Sequence, residues 1–276
     1  MSRHLLCTDL DRTLIPNGAQ PESPGARETF QRLVQRVDVQ LAYVSGRHRE
    51  LIEQAIADYD LPEPDFVIAD VGSTLYQVEA GGWRRRDEWD ERIAPDWGEL
   101  SREGLAQLLQ VFGDLRLQEP SKQNLHKLSF YVDLTADTAA LQVQMQRLLA
   151  EHGVKANLIW SVDEAAHVGL LDVLPASANK LHAIEFLMQQ QGYGRLDTVF
   201  AGDSGNDLDV LKSDVPAVLV ANASPELKQQ VKHIHKASLC TAQGGFLGMN
   251  GNYSAGIIEG AAYHWPEIEA WLLDTN

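Results

Sequence analysis

Three stretches of the chain end in polar residues whose types suit phosphate and metal chemistry. Asp9-Leu10-Asp11-Arg12-Thr13 follows one apolar run, and Ser45-Gly46-Arg47 follows a second. Gly202-Asp203-Ser204-Gly205-Asn206-Asp207 follows a third, and Lys180 opens a helical stretch before it. Carboxylates gathered at one rim repel each other unless a cation joins them. A hard ion with oxygen ligands meets that need, and Mg2+ is the expected one. Asp9 and Asp203 are the expected direct ligands, with the backbone carbonyl of Asp11 beside them. Asp207 is expected to act through water or by orienting the others. The ordinary alternatives are turn and helix-cap roles for Asp9, Asp11, Asp203 and Asp207. Ser45 would then be a strand-to-helix cap and Lys180 a solvated helix lysine. Capping and catalysis are compatible, because a helix N-terminus also favours anions.

These residues act together only if the fold brings them to one place. Residues 5–8 form a short run that is apolar on both faces, the mark of a buried parallel strand. Residues 39–44 and 65–69 read the same way, and helical spacing fills 26–37 and 48–59 between them. The βαβαβ alternation predicts an open parallel sheet with helices on both faces. In such a sheet ligands sit beyond the carboxyl ends of the strands, where the polar residues stand.

The pattern changes near Gly81-Gly82. A charged, tryptophan-rich stretch at 83–97 leads to a helix near 100–111, a half-exposed strand at 125–134 and a helix at 139–152. Strands at 157–160 and 168–174 follow. The α/β pattern then resumes with helices at 180–191, 208–211 and 225–231 and strands at 197–201 and 217–220. A Gly/Asn-rich loop at 243–256 precedes a terminal helix at 257–273, interrupted at Pro266. The expected fold class is α/β: a Rossmann-like parallel-sheet core, 1–83 and 172–276, with an inserted α+β domain at 84–171.

Composition narrows the function. With 276 residues, 44% of them hydrophobic, the chain can bury a core, and disorder is not expected. The 39 Asp+Glu outnumber the 23 Lys+Arg, for a net charge of −16. That field disfavours nucleic acid and anionic membrane as partners. It leaves room for a small anionic substrate, because a local cation reverses the sign within a pocket. Two cysteines, Cys7 and Cys240, exclude a disulfide framework or a cysteine-built zinc site. The N-terminus does not read as a signal peptide, and no apolar run approaches the ~18 residues of a membrane span. A cytoplasmic location is therefore expected, and the oligomeric state stays open, with a monomer compatible. His233 and His235 lack a third partner nearby and read as a solvated face.

The polar stretches resemble, in order, the four motifs of the haloacid dehalogenase (HAD) superfamily. Residues 9–13 stand for the first, Val44-Ser45-Gly46 for the second, Lys180 for the third and 202–207 for the fourth. The likeness covers essentially the whole chain. It implies that Asp9 attacks phosphorus and forms an aspartyl phosphate, with Mg2+ bridging Asp9 and a phosphoryl oxygen. It implies that Asp11 protonates the leaving oxygen and then deprotonates the hydrolytic water. Ser45 and the Gly46 amide would donate to the phosphoryl group, and Lys180 would neutralise its charge. Asn206 would hold the phosphoryl group or Lys180. An acid at position 11 suits phosphate chemistry, because a leaving halide needs no proton.

The insert resembles a type IIB cap, and the chain is similar to the sucrose-phosphate phosphatases. Residues 127–134, 169–180, 201–211, 220–228 and 254–265 carry that likeness. What it implies is a Mg2+-dependent phosphatase for a small phosphorylated sugar, sucrose 6-phosphate first. Mannosylfructose-phosphate, glucosylglycerol-phosphate or a broad range of sugar phosphates are alternatives. So is a phosphomutase, for which Arg84-Arg85-Arg86 would supply a second anion site. A catalytically dead sugar-binding partner of a biosynthetic enzyme is disfavoured by the intact Asp9, Asp11, Lys180 and Asp203. Arg47, His48 and Lys127 are the candidate substrate contacts, with His126, Trp83 and Trp89 behind them. Packing is the ordinary reading of Trp83, Trp89 and Trp97, and a surface or strand position that of His126 and Lys127. Asn222 suits the rim or a turn equally.

Overall fold

A strand at the centre of a parallel sheet is covered on both faces, and all five residues of β1 (His4–Thr8) are buried. This computed structural model describes residues 3–163, 166–234 and 238–275. The chain forms two units, Met1–Arg85 with Lys180–Asn276, and Arg86–Asn179.

In the first unit β1 is followed by α1 (Ala26–Val34), β2 (Val39–Val44), α2 (Arg49–Tyr59) and β3 (Phe66–Ala69). Ala26, Phe30 and Leu33 lie on one stripe of α1 and are buried, as helical periodicity requires. A hairpin of β4 (Thr74–Glu79) and β5 (Gly82–Arg85) comes next. The second unit holds α3 (Asp87–Ile93), α4 (Arg102–Leu109), β6 (Arg116–Leu117) and β7 (Leu128–Val132), then α5 (Thr138–Glu151), β8 (Ala156–Asp163) and β9 (Val168–Pro175). Its strands form an antiparallel sheet in the order β6-β7-β9-β8. Leu105, Leu109, Phe130, Met145 and Leu171 are part of its own apolar core.

The chain returns to the first unit with α6 (Lys180–Gln191), β10 (Thr198–Gly202), α7 (Leu208–Lys212) and β11 (Ala217–Leu219). It ends with α8 (Pro225–Val231), β12 (Leu239–Thr241), α9 (Ser254–His264) and α10 (Pro266–Thr275). The eight-stranded sheet runs β12-β11-β10-β1-β2-β3-β4-β5, parallel as far as β3 and antiparallel in the hairpin. The fold is thus α/β around a parallel-strand sheet. Helix α9 presses closely on β11. A Cβ at Gly260 would lie 2.0 Å from Val218, and one at Gly256 would lie 2.3 Å from the Gly251 carbonyl oxygen.

Some features differ from the sequence reading. The first core segment was expected to end at 83 but runs to Arg85, through a β4–β5 hairpin that carries Trp83 and extends the sheet. Residues 172–175 were expected in the parallel-sheet core, but they continue β9, where Asp172 pairs with Ser129 and Ile159. The edge strand β12 is three residues long, too short to show a period. Among the described residues no helix is long and apolar enough to cross a membrane.

Candidate active site

Strand register sets the polar stretches level with one another. Thr8 pairs with Tyr43 of β2 and Ala201 of β10, and the Asp9 N–H donates to the Ala201 carbonyl at 2.9 Å. Asp9, Ser45 and Asp203 therefore leave neighbouring strands at the same rim.

Asp9 is buried. Its Oδ1 accepts the Leu10 N–H at 2.7 Å, and its Oδ2 lies 3.0 Å from Lys180 Nζ. Lys180, on the first turn of α6, is buried too, and its Nζ donates to Asp207 Oδ1 at 2.7 Å and Asn206 Oδ1 at 3.3 Å. The other Asp207 oxygen accepts the N–H groups of Asp203 and Ser204 at 3.1 and 3.0 Å, and the Ser204 hydroxyl. Asp207 thus braces both the lysine and the loop that carries Asp203. Gly202 permits this, because a Cβ there would lie 2.6 Å from the Asp207 carboxyl. Asp203 accepts from Thr13 Oγ1 at 3.1 Å and faces Arg12 Nε at 3.3 Å.

Carboxylate oxygens of Asp9, Asp203 and Asp207 lie within 4.8 Å of one another. Burial pushes Asp9 up to about 7; Lys180 opposes the rise, and Asp207 and Asp203 add to it. Burial and then the charge of Asp207 push Asp203 up to about 6, against Arg12 and Thr13. Burial also disfavours the Lys180 cation, but the charges of Asp207 and Asp9 outweigh it and hold the ammonium above its ordinary range. One lysine therefore does not relieve the crowding of three acids. The donors are all oxygen, and a hard divalent cation such as Mg2+ fits them.

Asp11 is differently placed. Arg47 grips it with both arms, Nε to Oδ2 at 2.7 Å and Nη2 to Oδ1 at 2.6 Å, and Asn17 Nδ2 donates to Oδ1 at 2.8 Å. Burial alone would raise this carboxyl; the Arg47 hydrogen bonds and charge, with Asn17, bring it below the usual range. Ser45 is buried, and its Oγ accepts the Arg47 N–H at 3.2 Å. Its peptide is fixed by Ile68 and Val71, whose carbonyl and N–H it meets at 2.8 and 3.1 Å. A Cβ at Gly46 would meet only Val71 Cγ2, at 3.8 Å.

His48 precedes α2, with Nδ1 3.0 Å from Glu50. In the second unit Lys127 is buried, 3.7 Å from Asp172, and His126 Nδ1 is 3.2 Å from Asp90. Trp89 and Trp97 are buried there. Trp83, in the first unit, lies beneath the Arg49 guanidinium at 5.4 Å. His233 is exposed, and His235 lies outside the described residues. Cys7 and Cys240 are free and buried, and burial pushes the Cys240 thiol up to about 12. Asn222 joins two distant segments: Nδ2 donates to the Arg12 carbonyl at 2.6 Å, and Oδ1 accepts the Tyr253 N–H at 2.8 Å. Thr13 carried no role of its own within the motif at 9–13, and Asn17, before Gly18, reads from sequence as a loop residue.

Residues 2–265 match the family described as sucrose-6F-phosphate phosphohydrolase. The chain belongs to this family. The sucrose-6F-phosphate phosphohydrolases are phosphoric monoester hydrolases of the HAD superfamily, so the family accounts for both the sheet and the four polar stretches. A HAD-like hydrolase of Nitrosococcus oceani is 52% identical over 272 residues, covering 97% of this chain and 73% of that protein. Sucrose-phosphatase 1 of Nicotiana tabacum is 29% identical over 278 residues, covering 92% of this chain but 60% of the plant protein. The chain therefore spans about three-fifths of that relative's length. The crystal structure of the sucrose-phosphatase from Synechocystis sp. PCC6803, in complex with sucrose and phosphate, superposes with a TM-score of 0.74. It is 27% identical, covering 96% of this chain and 98% of that one.

Proposed function

We propose that the chain is a Mg2+-dependent phosphatase that converts a sugar phosphate, sucrose 6-phosphate first, to the free sugar and phosphate. One observation carries the reading: a buried lysine holds Asp9 and Asp207, and a carboxylate oxygen of Asp203 lies within 4.8 Å of theirs. Asp9 and Asp203 would hold Mg2+, with Asp207 orienting them. When bound, the ion supplies positive charge that offsets the repulsion between a carboxylate and a phosphate dianion.

The side chains of this chain supply the rest. Leu10 N–H and Lys180 fix the Asp9 carboxylate in one orientation, which favours in-line attack. An Asp9 oxygen–phosphorus bond forms as the bond to the sugar oxygen breaks. Asp11 gives that oxygen a proton, then takes one from the water that cleaves the aspartyl phosphate. Ser45 Oγ, the Gly46 amide, Lys180 and Asn206 are the donors for the phosphoryl oxygens. The second unit is the expected seat of sugar recognition, with Lys127 its candidate, and Arg47 and His48 flank the reacting end.

Sucrose 6-phosphate is supported by the family and by the Synechocystis protein, which holds sucrose and phosphate. A phosphomutase would need a free arginine cluster. Arg84 instead pairs with Glu79 and Arg86 with Glu88, which weighs against it. The test is phosphate release from a panel of disaccharide and monosaccharide phosphates, with and without Mg2+. A preference of about 100-fold or more for sucrose 6-phosphate supports the reading. A flat profile replaces it with a broad-range phosphatase, and Mg2+-independent release removes the metal. Asp9→Asn should lower turnover by on the order of 1,000-fold or more; unchanged turnover would remove the nucleophile.

A further inference from the structure

Arg12, between the two first-motif acids and Thr13, has a φ of 55°. Non-glycine residues keep that left-handed conformation only where their surroundings hold it. Two asparagines far apart in sequence do so. Asn17 Oδ1 accepts the Arg12 N–H at 2.8 Å, and Asn222 Nδ2 donates to the Arg12 carbonyl at 2.6 Å. Both backbone polar groups of residue 12 are thus taken by asparagine side chains.

Each asparagine is tied in turn to something else. Asn17 Nδ2 reaches Asp11 Oδ1 at 2.8 Å, so one amide sets both a peptide and the neighbouring carboxyl. Asn222 is buried and accepts the Tyr253 N–H at 2.8 Å. The Tyr253 hydroxyl donates to the Gln20 carbonyl at 3.1 Å, and Asn250 and Asn252 both donate to the Pro21 carbonyl, at 2.9 and 3.0 Å. The segment before α9 therefore straps the loop that follows the first motif. The Arg12 turn sets the side chains around it. Thr13 Oγ1 and Arg12 Nε each meet one oxygen of Asp203, and Asp11 points to Arg47.

We propose that Asn17 and Asn222 are positioning residues that clamp the Arg12 turn, and so set Asp11 and Asp203 for reaction. The catalytic consequence rests on the phosphatase reading; the clamp itself does not. Asn222→Asp separates the two contacts, keeping an acceptor for Tyr253 while losing the donor to Arg12. Asn17→Ala removes the other side of the clamp at an exposed position.

The test uses the full chain. Amide hydrogen exchange of residues 12–15 is measured without added metal. kcat and KM for p-nitrophenyl phosphate are measured with Mg2+. Both variants should speed exchange at 12–15 by about tenfold or more, and Asn222→Asp should leave exchange at 254–257 as it is in the parent. kcat should fall by about tenfold or more in Asn222→Asp, with KM within about twofold, because misplacement of the acids costs turnover more than binding. Parental exchange at 12–15 in both variants overturns the clamp. Faster exchange with unchanged kcat overturns its catalytic role. If the parent releases no phosphate from p-nitrophenyl phosphate or from any sugar phosphate of the panel, the phosphatase reading fails while exchange still decides the clamp. If Asn222→Asp does not fold, the exchange and kcat of Asn17→Ala decide it.

Discussion

The grip of Arg47 on Asp11 has a consequence for pH. A general acid must carry its proton when the leaving oxygen departs, yet this carboxyl is held below the usual range. Removing the guanidinium leaves burial as the main influence, and burial raises the carboxyl. For Arg47→Met the descending limb of kcat/KM for sucrose 6-phosphate should therefore move to higher pH by about one unit or more. p-Nitrophenol leaves without a proton, so its phosphate should show no such move. A limb that stays in place for both substrates would separate Arg47 from the acid. The metal site has a pH dependence of its own. Burial pushes Asp9 up to about 7 and Asp203 up to about 6, so protons compete with a cation below neutrality. Mg2+ affinity should rise by about tenfold or more between pH 5.5 and 7.5 and then level off. Titration calorimetry in buffers of different ionisation enthalpy would detect the released protons, and a pH-independent affinity would contradict the arrangement. Asp9, Lys180, Asp203 and Asp207 were legible in the sequence because acids and a lysine at strand and helix ends have few other uses together. The Arg47–Asp11 and Asn222–Arg12 contacts were not, because each joins residues on separate elements whose side chains suit many partners.

At the scale of elements, the meeting of α9 and β11 depends on two missing side chains. Gly256 and Gly260 are one turn apart on α9 and face Val220 and Val218. A methyl at position 260 would collide with a buried valine, and neither the helix nor the central sheet can yield freely. Gly260→Ala should cost about 1–3 kcal/mol despite the better helix propensity of alanine. A lowered urea midpoint at unchanged m-value would show it, and a gain in stability would mean that α9 stands further off. From sequence these glycines read as ordinary members of an apolar helix, because close approach leaves no periodic mark. Longer elements were legible where their period was clean. α6 and α8 begin and end where apolar spacing and Pro225 place them. The β4–β5 hairpin was not, because β4 shows no alternation of burial and β5, which alternates, is only four residues long.

At the scale of the molecule, the acids of the site and Lys180 all belong to the first unit, and the second unit has a separate apolar core. The change of pattern near Gly81-Gly82 falls in the β4–β5 hairpin, just before the second unit begins at Arg86. The end of the insert was not legible, because β9 runs on through Pro175 in one apolar stretch that serves an antiparallel sheet as well as a parallel one. This division makes the energetics separable. A ligand that binds only the folded first unit stabilises it by mass action, by about 2.7 kcal/mol at a hundred times its dissociation constant. A cavity in the second core acts through different atoms, and effects at sites without shared partners add. Leu105 is fully buried in that core, so Leu105→Ala should cost about 2–5 kcal/mol there. Native-state hydrogen exchange should then show faster exchange in α4, β7 and β9. The slowing that Mg2+ brings to β1 and α6 should stay as it is in the parent protein. Loss of that slowing in Leu105→Ala would mean that the ion site depends on the second core, and the acids at residues 9 and 203 would not suffice to hold the cation.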